Sequence, residues 1–290
     1  MKRVLLCLAL LGSACTDSEP SVAAPIEAQA VTLAALPEGG FLWAAVEGTV
    51  HDETGAEIGS VAADTDGQRG LLGLTVDPDG RIFVSYTDST FDLVISELLL
   101  DESGSSERPV WRGPTTVQGG NGGRMIFDSG ELIIGIGLLN DRDGQADPDS
   151  IVGKLIAIDP DVDPDSQVPR ILSGPWNNPF AFDRSPAGEL WVADNEPQDG
   201  DERVARGDLG LDPEVALVLP ADSAPSGLAA TNNSLYICSY NSLELNRFDL
   251  ADGVVTFGET VADDCILDVE LLANGDLVYS TGSTIVRLTP

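Results

Sequence analysis

The chain is poor in basic residues. Its 290 residues include 15 Lys and Arg against 48 Asp and Glu, so the formal net charge is −33. Lysine is almost missing, because only Lys154 follows Lys2. Phosphate backbones are bound through Lys and Arg, and this balance therefore excludes nucleic acid as a partner. Acidic residues spread over the whole length are typical of a solvated surface that favours solubility.

Histidine and long apolar runs are equally scarce. The single histidine, His51, lies in "GTVHDETG", which predicts an exposed turn away from any site. The apolar run near the N-terminus is too short for a membrane-spanning helix. Hydrophobic residues nevertheless make up 42% of the chain, which is enough for one large folded domain or two small ones.

The first residues carry a targeting signal. "MKRVLLCLALLGSAC" has a basic start, a short apolar run and small residues before Cys15, as in an export signal. It resembles a bacterial lipoprotein signal over residues 1–14, with Cys15 as the lipid-bearing residue; an ordinary secretory signal is the alternative. Residues 15–32 are rich in Ser, Pro, Ala and Glu and predict a flexible tether. We expect an exported protein that faces the periplasm or the cell surface and touches the membrane only through its lipid.

Only four cysteines are present. Cys7 falls in the signal and Cys15 takes the lipid, which leaves Cys238 and Cys265. Export places this pair in an oxidising compartment, where two cysteines usually form a disulfide. We therefore predict a bridge between Cys238 and Cys265, with two buried free thiols as the alternative.

The rest of the chain repeats one phrase six times: an apolar run, a turn of Gly, Asp, Asn or Pro, and a run of β-forming residues. Turn residues between two β-rich runs are typical of β-hairpins. No convincing amphipathic helix of about ten residues or more separates the copies. They occupy residues 36–45, 76–86, 127–136, 183–194, 230–239 and 271–281.

The spacing of these hairpins, roughly 40 to 60 residues, is the length of one propeller blade. A single blade cannot bury both of its faces, and radial stacking of blades solves that problem. We therefore predict an all-β fold, a six-bladed β-propeller over residues 33–290. The alternative, a β-sandwich, gives no reason for one phrase to recur six times.

Ligands of such folds bind near the central axis, on loops that lead into the innermost strands. The segments just before the first strand of the predicted blades are therefore candidates for the wall of a site. One of them, "GGNGGR", has the Gly-rich backbone of a chain that approaches a ligand closely, but it has no nucleophile. The segments are "GQRG" (67–70), "GGNGGR" (119–124), "GPWNNP" (174–179), "APSG" (224–227) and "DDC" (263–265).

Four segments carry a family resemblance. In order along the chain they are "GQRGLLGLTVDPDGRIFVSYTD" (67–88), "NGGRMIFDSGELIIGIG" (121–137), "QADPDSIVGKLIAID" (145–159) and "NNPFAFDRSPAGELWVADNEPQDGDE" (177–202). They resemble the glucose/sorbosone dehydrogenase family, and they cover about half of the mature chain. The resemblance implies a six-bladed propeller that uses pyrroloquinoline quinone and calcium to oxidise aldose sugars.

The same resemblance implies three charged residues at the site. The family has a general-base histidine directly before "NGGR", an aspartate that orients it, and an arginine that faces quinone and substrate. Here these positions hold Gly120, Leu138 and Asn177. Glycine and leucine cannot accept a proton, and an orienting carboxylate has no use without its imidazole. The sequence therefore predicts that the family's chemistry has been lost.

Other positions of the family pattern persist. Gln68 and Asn178 match residues that contact the quinone. Pro197 matches a residue whose carbonyl helps to bind the quinone's calcium, although the neighbouring family glycine is Glu196 here. Glu202 matches a carboxylate at a structural calcium. Each also has a purely structural interpretation: loop hydrogen bonds for the two amides, a turn for the proline and a surface acid for the glutamate.

A further calcium candidate comes from the residues themselves. "DRDGQADPD" places carboxylates, among them Asp141 and Asp143, at alternating positions around a glycine. Calcium takes hard oxygen ligands of this kind. The segment is not an EF-hand, because the flanking helices and the final glutamate are missing. An acidic surface loop is the alternative.

Two functions remain open. The first is a lipid-tethered propeller that binds a sugar, a quinone or a protein partner and oxidises nothing. The second is an active, divergent aldose dehydrogenase whose base is another residue near the mouth, such as Asp64, Asp66 or Glu196. A quinone with three carboxylates needs cations, and Arg69 and Arg124 are the only evident ones there, against many acids. This balance favours the binding protein.

Overall fold

The computed structural model describes residues 20–289, except residues 27, 103 and 197–200. The described chain is almost entirely β-sheet, with six sheets built from strands β1 to β25. Its helical content is limited to helix α1 (Arg142–Ala146) and a 3₁₀ turn (Pro164–Ser166). No helix in the described ranges is long and apolar enough to cross a membrane.

Each sheet is one blade of a six-bladed β-propeller, as predicted. From the axis outwards, blade 1 holds β2 (Ala30–Ala35), β3 (Phe41–Ala45), β4 (Thr49–Asp52) and β5 (Glu57–Ser60), and blade 2 holds β6 (Leu71–Val76), β7 (Ile82–Thr87), β8 (Asp92–Asp101) and β9 (Gly104–Thr115). Blade 3 holds β10 (Gly122–Asp128), β11 (Glu131–Ile136), β12 (Lys154–Ile158), β13 (Arg170–Gly174) and the short parallel β17 (Gly210–Leu211). Blade 4 holds β14 (Ala181–Arg184), β15 (Leu190–Asp194), β16 (Arg203–Arg206) and β18 (Val215–Val218). Blade 5 holds β19 (Pro225–Ala230), β20 (Ser234–Ser239), β21 (Glu244–Ala251) and β22 (Val254–Ala262), and blade 6 holds β23 (Val269–Leu271), β24 (Leu277–Ser280), β25 (Thr284–Leu288) and β1 (Ser21–Pro25).

The six repeated phrases are the hairpins between the two innermost strands of each blade. In blade 2, Oδ1 of Asp77 accepts hydrogen bonds from the backbone N–H groups of Asp79 (2.9 Å) and Arg81 (2.8 Å). Such an Asx turn is the reason that an aspartate begins the turn. The hairpin prediction succeeds because this turn chemistry is local.

The hydrophobic core is divided among the six contacts between neighbouring blades. Each contact contains its own cluster of buried apolar side chains. Trp43 of blade 1, for example, lies in the same cluster as Val278 of blade 6, and Trp191 of blade 4 lies in the same cluster as Leu228 of blade 5. Because every blade buries its faces only against its neighbours, the ring has to close to complete the core.

The inner strands all run in the same direction through the central channel. Their first residues surround a cavity at one end, which we call the mouth face. Their last residues, such as Ala35, Val76 and Asp128, surround a second cavity at the other end, which we call the base face. Since neighbouring strands of a blade are antiparallel, the outermost strand of each blade runs from the base face to the mouth face.

The N-terminal boundary differs from the prediction. Residues 15–32 were expected to form a tether, but strand β1 begins at Ser21 and strand β2 begins at Ala30. Strand β1 pairs antiparallel with β25 and completes blade 6. The segment "SVAAP" becomes a strand because a distant partner supplies its ladder, which overrides its composition. The signal over residues 1–14 and Cys15 lie outside the described residues, so both stay predictions.

The structure joins Cys238 to Cys265 by a disulfide. Their Cα atoms are 5.5 Å apart, and both residues are fully buried in the cluster between blades 5 and 6. Cys238 lies in the second strand of blade 5, and Cys265 lies just before the first strand of blade 6. The predicted pairing is therefore present, and the bridge ties these two blades together.

His51 was predicted to lie in an exposed turn, and this prediction is wrong. His51 lies in strand β4, half-buried, and its ring stacks on Trp43 with centroids 4.0 Å apart. Its ring nitrogens lie 2.9 Å from Oγ1 of Thr49 and 3.2 Å from the Gly55 carbonyl. His51 is therefore part of a blade, where its ring packs on the aromatic ring of Trp43.

Candidate functional site

A cavity of about 490 Å³ opens at the mouth face on the propeller axis. Four of the five loop segments singled out in the sequence contribute to its wall: Gly67 to Arg69, Gly120 to Gly122, Asn178, and Ala224 to Ser226. The fifth segment, residues 263–265, does not, although Leu267 just beyond it does. The entrance loops were therefore predicted largely correctly.

Part of the wall comes from loops outside those five segments, in which the sequence analysis named Glu196 only as a substitute base near the mouth. Asn195 and Glu196 follow the second strand of blade 4, and Tyr240 and Asn241 follow the second strand of blade 5. Second strands end at the mouth face because they run antiparallel to the inner strands. The alternation of strand direction was thus the available signal, and it points to these residues once the hairpins are recognised.

Gly120, at the position of the family's base, lies in the cavity wall. Its φ of 71° is in the left-handed region, and a Cβ atom there would meet no atom within 4 Å. Its backbone N–H donates to Oε1 of Gln68 at 3.3 Å. Gln68 is exposed and lines the same wall. Gly120 and Gln68 offer hydrogen-bonding groups and space, but neither has a side chain that could take a proton.

Leu138 and Asn177 do not contribute to the cavity wall. They contact each other through the backbone, where the Leu138 N–H donates to the Asn177 carbonyl at 2.7 Å. Oδ1 of Asn177 accepts from Nε2 of Gln145 at 3.0 Å. Both residues therefore hold the loops of blades 3 and 4 together.

Asn178 connects the same two blades. Its Oδ1 accepts from the N–H of Gly122 at 2.9 Å, and its own N–H donates to Oδ1 of Asp194 at 2.9 Å. Asp194 is fully buried, and burial raises its pKa to about 6, although Arg203 beside it acts in the opposite direction. Asn178 has the structural role that the sequence left open for it, and it still faces the cavity.

Arg69 lies in the wall but is committed to its own blade. Its side chain donates to Oγ1 (2.9 Å) and the carbonyl (3.3 Å) of Thr116 and to Oδ2 of Asp66 (3.3 Å). The guanidinium also stacks over the ring of Phe91 at 4.5 Å. Few donors are left for a ligand.

A cation that the sequence reasoning missed lies at the rim of the mouth. Arg142 begins helix α1, and its guanidinium lies 3.4 Å from Oδ1 of Asn177 and 3.5 Å from Oε1 of Glu196. It reaches the position where the resemblance implies an arginine, but from a different loop. These contacts are long, and 59% of the Arg142 side chain is exposed.

Arg124 is not at the mouth, contrary to the sequence-based expectation. It is buried on the axis, where all five of its N–H groups are used. Its acceptors are Oδ2 of Asp268 (2.6 Å) and the carbonyls of Val31 (3.2 Å), Phe180 (3.2 Å), Ser226 (2.9 Å) and Leu267 (3.1 Å). The side chain satisfies the inner edges of four other blades and separates the mouth cavity from the cavity at the base face.

The base cavity has a volume of about 310 Å³ and is lined by four carboxyl residues, of which Asp183, Asp268 and Glu270 link neighbouring blades and Asp128 is the fourth. Each of the three linking residues accepts from an inner-strand N–H of the next blade: Ala230 (2.8 Å), Leu33 (2.7 Å) and Ala35 (3.3 Å), respectively. Burial raises the pKa of Asp183 to about 7 and that of Asp268 to about 6, and it raises the pKa of Glu270 well above its ordinary value. These carboxyls link blades.

Two of the calcium candidates, Glu202 and Asp141, are engaged in protein contacts. Glu202 is buried, accepts from Oγ of Ser223, and accepts from the N–H of Ala224 at 2.8 Å. Asp141 caps helix α1 by accepting from the N–H of Gly144 at 2.9 Å, and Asp143 lies exposed in its first turn. Pro197 lies outside the described residues. Over the described ranges, no group of three or more His, Cys, Asp or Glu is arranged to hold a metal ion.

Of the three proposed substitutes for the base, only Glu196 lines the cavity. Asp66 accepts from Arg69 and from Nε2 of Gln118 (3.0 Å), and Oδ1 of Asp64 accepts from the Asp66 N–H (3.1 Å). Both of these aspartates serve their own loop.

The sequence profile of the glucose/sorbosone dehydrogenase family matches residues 28–207, which is more than half of the chain. The chain therefore belongs to this family. Among curated proteins no match is found.

Solved structures share the fold at low identity. A protein described as a putative oxidoreductase (glucose dehydrogenase) from Thermus thermophilus superposes with a TM-score of 0.81 at 19% identity, covering 93% of this chain and 99% of that one. The PQQ-bound aldose sugar dehydrogenase of Streptomyces coelicolor gives 0.80 at 20% identity, covering 93% and 98%. The apo form of the soluble aldose sugar dehydrogenase of Escherichia coli gives 0.80 at 21% identity, covering 94% and 99%. At these identities the likeness establishes the six-bladed fold.

Proposed function

We propose that this protein is an exported, lipid-anchored propeller that binds a neutral sugar in the mouth cavity and does not oxidise it. The observation that carries the proposal is the charge of the cavity wall. Among the described residues, the wall contains the carboxylates of Glu196, Glu202 and Asp222 against one guanidinium, that of Arg69. Neutral amides supply most of the other polar side chains: Gln29, Gln68, Asn121, Asn178, Asn195 and Asn241.

The described residues do not fit pyrroloquinoline quinone. This cofactor carries three carboxylates, and a buried carboxylate requires a cation or several N–H donors. Arg69 is bound to Thr116 and Asp66, and Arg124 is enclosed on the axis. Arg142 at the rim already lies beside Glu196. We therefore assign no oxidation step to this site.

A neutral sugar matches the same wall better. Sugar hydroxyls both donate and accept hydrogen bonds, and so do the exposed side-chain amides of Gln29 and Gln68 in the cavity wall. Tyr240 lines the wall with about half of its surface exposed, 51%, so its ring can pack against the C–H face of a pyranose. The volume of about 490 Å³ falls in the ordinary range of small-molecule sites.

An active, divergent quinoprotein is the second candidate, and one observation favours it. The side chain of Glu196 lies in the cavity wall, is only 8% exposed, and has Arg142 3.5 Å away. A carboxylate in this position is the available proton acceptor for a sugar hydroxyl. This candidate additionally requires that quinone and calcium bind, which the charge of the wall disfavours.

Calorimetric titration of the unmodified protein with a panel of neutral aldoses tests the first proposal. Tyr240→Ala is expected to weaken sugar binding about 10-fold, which corresponds to roughly 1.4 kcal/mol. Tyr240→Phe keeps the ring and should retain most of the affinity. Phe257→Ala, which removes another exposed ring from the outer strand of blade 5, is the matched control and should change nothing. Failure of the unmodified protein to bind any aldose would overturn the proposal and favour a protein partner.

The second candidate is tested by absorbance titration with the quinone and by sugar-dependent dye reduction, both with calcium present. We expect neither quinone binding nor turnover. Robust turnover by the unmodified protein would reject the binding function, and loss of that turnover in Glu196→Gln would then identify the base.

The lipid anchor is part of the proposal and has its own test. The basic start, the apolar run and the small residues before Cys15 support it. Mass spectrometry of the mature N-terminus should show a diacylglyceryl group on Cys15. An unmodified chain, or cleavage elsewhere, would refute the anchor.

A further inference from the structure

Strand β1 fixes the face at which the anchor segment joins the propeller. It is the outermost strand of blade 6 and pairs antiparallel with β25, with Ser21 opposite Arg287 and Pro25 opposite Thr284. Strand β25 is the third strand of its blade and runs from the mouth face to the base face. Strand β1 therefore starts at the base face, and Ser21 is its first residue there.

The reach of the chain before β1 is short. Five residues separate Cys15 from Ser21, so even a fully extended chain covers only about 20 Å between them. The inner strand of blade 3, Gly122–Asp128, has seven residues and spans a similar ~20 Å between the two faces. A lipid on Cys15 can therefore lie next to the base face, whereas bringing it to the mouth face would use the whole length of the segment.

Exposed apolar side chains occur beside the outermost turns on the base face. Leu99 and Leu100 end the third strand of blade 2, Val168 precedes the outer strand of blade 3, and Val254 begins the outer strand of blade 5. Val22 is the second residue of β1. Their exposed fractions run from 42% for Leu99 to 85% for Val168. Aliphatic groups in these places lose water when a lipid surface covers them.

From these two observations we infer that the base face lies against the bilayer and that the mouth cavity opens away from it. The inference rests on the lipid anchor of the proposed function, and the occupant of the base face is a lipid surface. Exposed acids occur on the same face, including Asp79, Asp163 and Asp252. They repel anionic headgroups at low salt, so the contact is expected with a neutral lipid surface. The site is therefore supplied with ligand from the aqueous side.

Lipid-attached quenchers in neutral phosphatidylcholine vesicles can measure this orientation on the full lipidated protein. One variant, Asn232→Cys, carries a fluorophore on the inner hairpin turn of blade 5 at the base face. The matched variant, Thr65→Cys, carries the same fluorophore on an entrance loop at the mouth face, and both positions are exposed. We expect quenching of the Asn232→Cys label to exceed that of the Thr65→Cys label several-fold.

A linker insertion tests whether the short segment between Cys15 and Ser21 fixes the orientation. Inserting about 30 Gly and Ser residues after Thr16 should reduce the difference between the two labels, because the propeller then moves freely. Equal or reversed quenching in the lipidated protein without the insertion would overturn the orientation and leave the anchor intact. Absence of lipid on Cys15 in the mass spectrum would overturn the anchor, and the orientation with it.

Discussion

Nη1 of Arg124 lies 2.6 Å from Oδ2 of Asp268, and this contact joins blade 3 to blade 6 across the propeller axis. In the loop before Arg124, Gly122 packs closely on the second strand of its own blade, because a Cβ on it would lie 2.2 Å from the Gly135 carbonyl oxygen. In this protein "GGNGGR" thus serves two purposes. Gly120, Asn121 and Gly122 line the mouth cavity, and Arg124 fills the channel beneath them.

The first prediction concerns Arg124. Arg124→Met should lower the free energy of unfolding by about 3–5 kcal/mol, since it leaves Asp268 and four backbone carbonyls of the other blades without their donor. Arg124→Lys should lower the free energy of unfolding by less than Arg124→Met does. It keeps the positive charge, but an ammonium has fewer donors and a different shape. Urea denaturation at neutral pH measures both. Arg170→Met, which breaks the exposed ion pair with Glu131, is the control and should cost no more than about 1 kcal/mol.

Removing the disulfide should destabilise the protein. The bridge closes a loop of sequence separation 27, and the chain-entropy account gives roughly 3 kcal/mol for a loop of this size. A double variant, Cys238→Ser with Cys265→Ser, is expected to lose that free energy of unfolding and therefore to melt at a lower temperature. Reductant should lower the melting temperature of the unmodified protein and leave the double variant unchanged; equal responses would contradict the prediction.

Stability should fall as the pH rises from about 4 to about 7. The folded pKa values of Asp183 (about 7), Asp268 (about 6) and Glu270 (raised) lie above their unfolded values. The folded state therefore binds more protons in this window, and linkage makes low pH stabilising. Below about pH 4 the sign reverses, because the folded pKa of Asp88 is lowered to about 2.

Thermal melts across this pH range measure the effect. Glu270→Gln is the informative variant, because a side-chain amide oxygen can still accept from the N–H of Ala35. It should flatten the decline of the melting temperature towards neutral pH. A melting temperature that increases steadily from pH 4 to pH 7 would contradict the assignment.

Restoring the family's residues should restore function only when they are combined. Gly120→His has room for its side chain, and histidine tolerates the left-handed backbone better than most residues. Alone it should restore little sugar oxidation, since the imidazole lacks its orienting carboxylate and the quinone lacks its cation. Together with Leu138→Asp and Asn177→Arg it should exceed the sum of the single variants, because such groups act as a unit. Dye reduction with quinone and calcium measures the rates, and additive rates would contradict the argument.

The fold was predictable because its signals are local. Asp77 and its neighbours define a hairpin turn by themselves, and six such turns at blade spacing leave few alternatives. Strand β1 was missed for the opposite reason. Its segment has no strand period of its own, and its partner β25 lies at the other end of the described chain.

The site was predictable only in part, for the same physical reason. Gln68, Gly120 and Asn178 were found because they lie directly before inner strands. Arg124 was assigned to the mouth because nothing near it in sequence shows that Asp268, 144 residues away, holds it on the axis. Arg142 was missed because its loop folds back over the neighbouring blade, which no periodicity indicates.

The closure of blade 6 has a consequence for how the protein folds. Val22 pairs with Val286, so this ladder joins residues separated by almost the whole described chain. Contacts of such high sequence separation are entropically expensive and form slowly. Until they form, blade 6 exposes the edge of β25, and blades 1 and 6 both expose the apolar faces that they bury against each other, which is the arrangement that invites pairing between chains. We therefore expect ring closure to be the step at which this protein is most prone to aggregate.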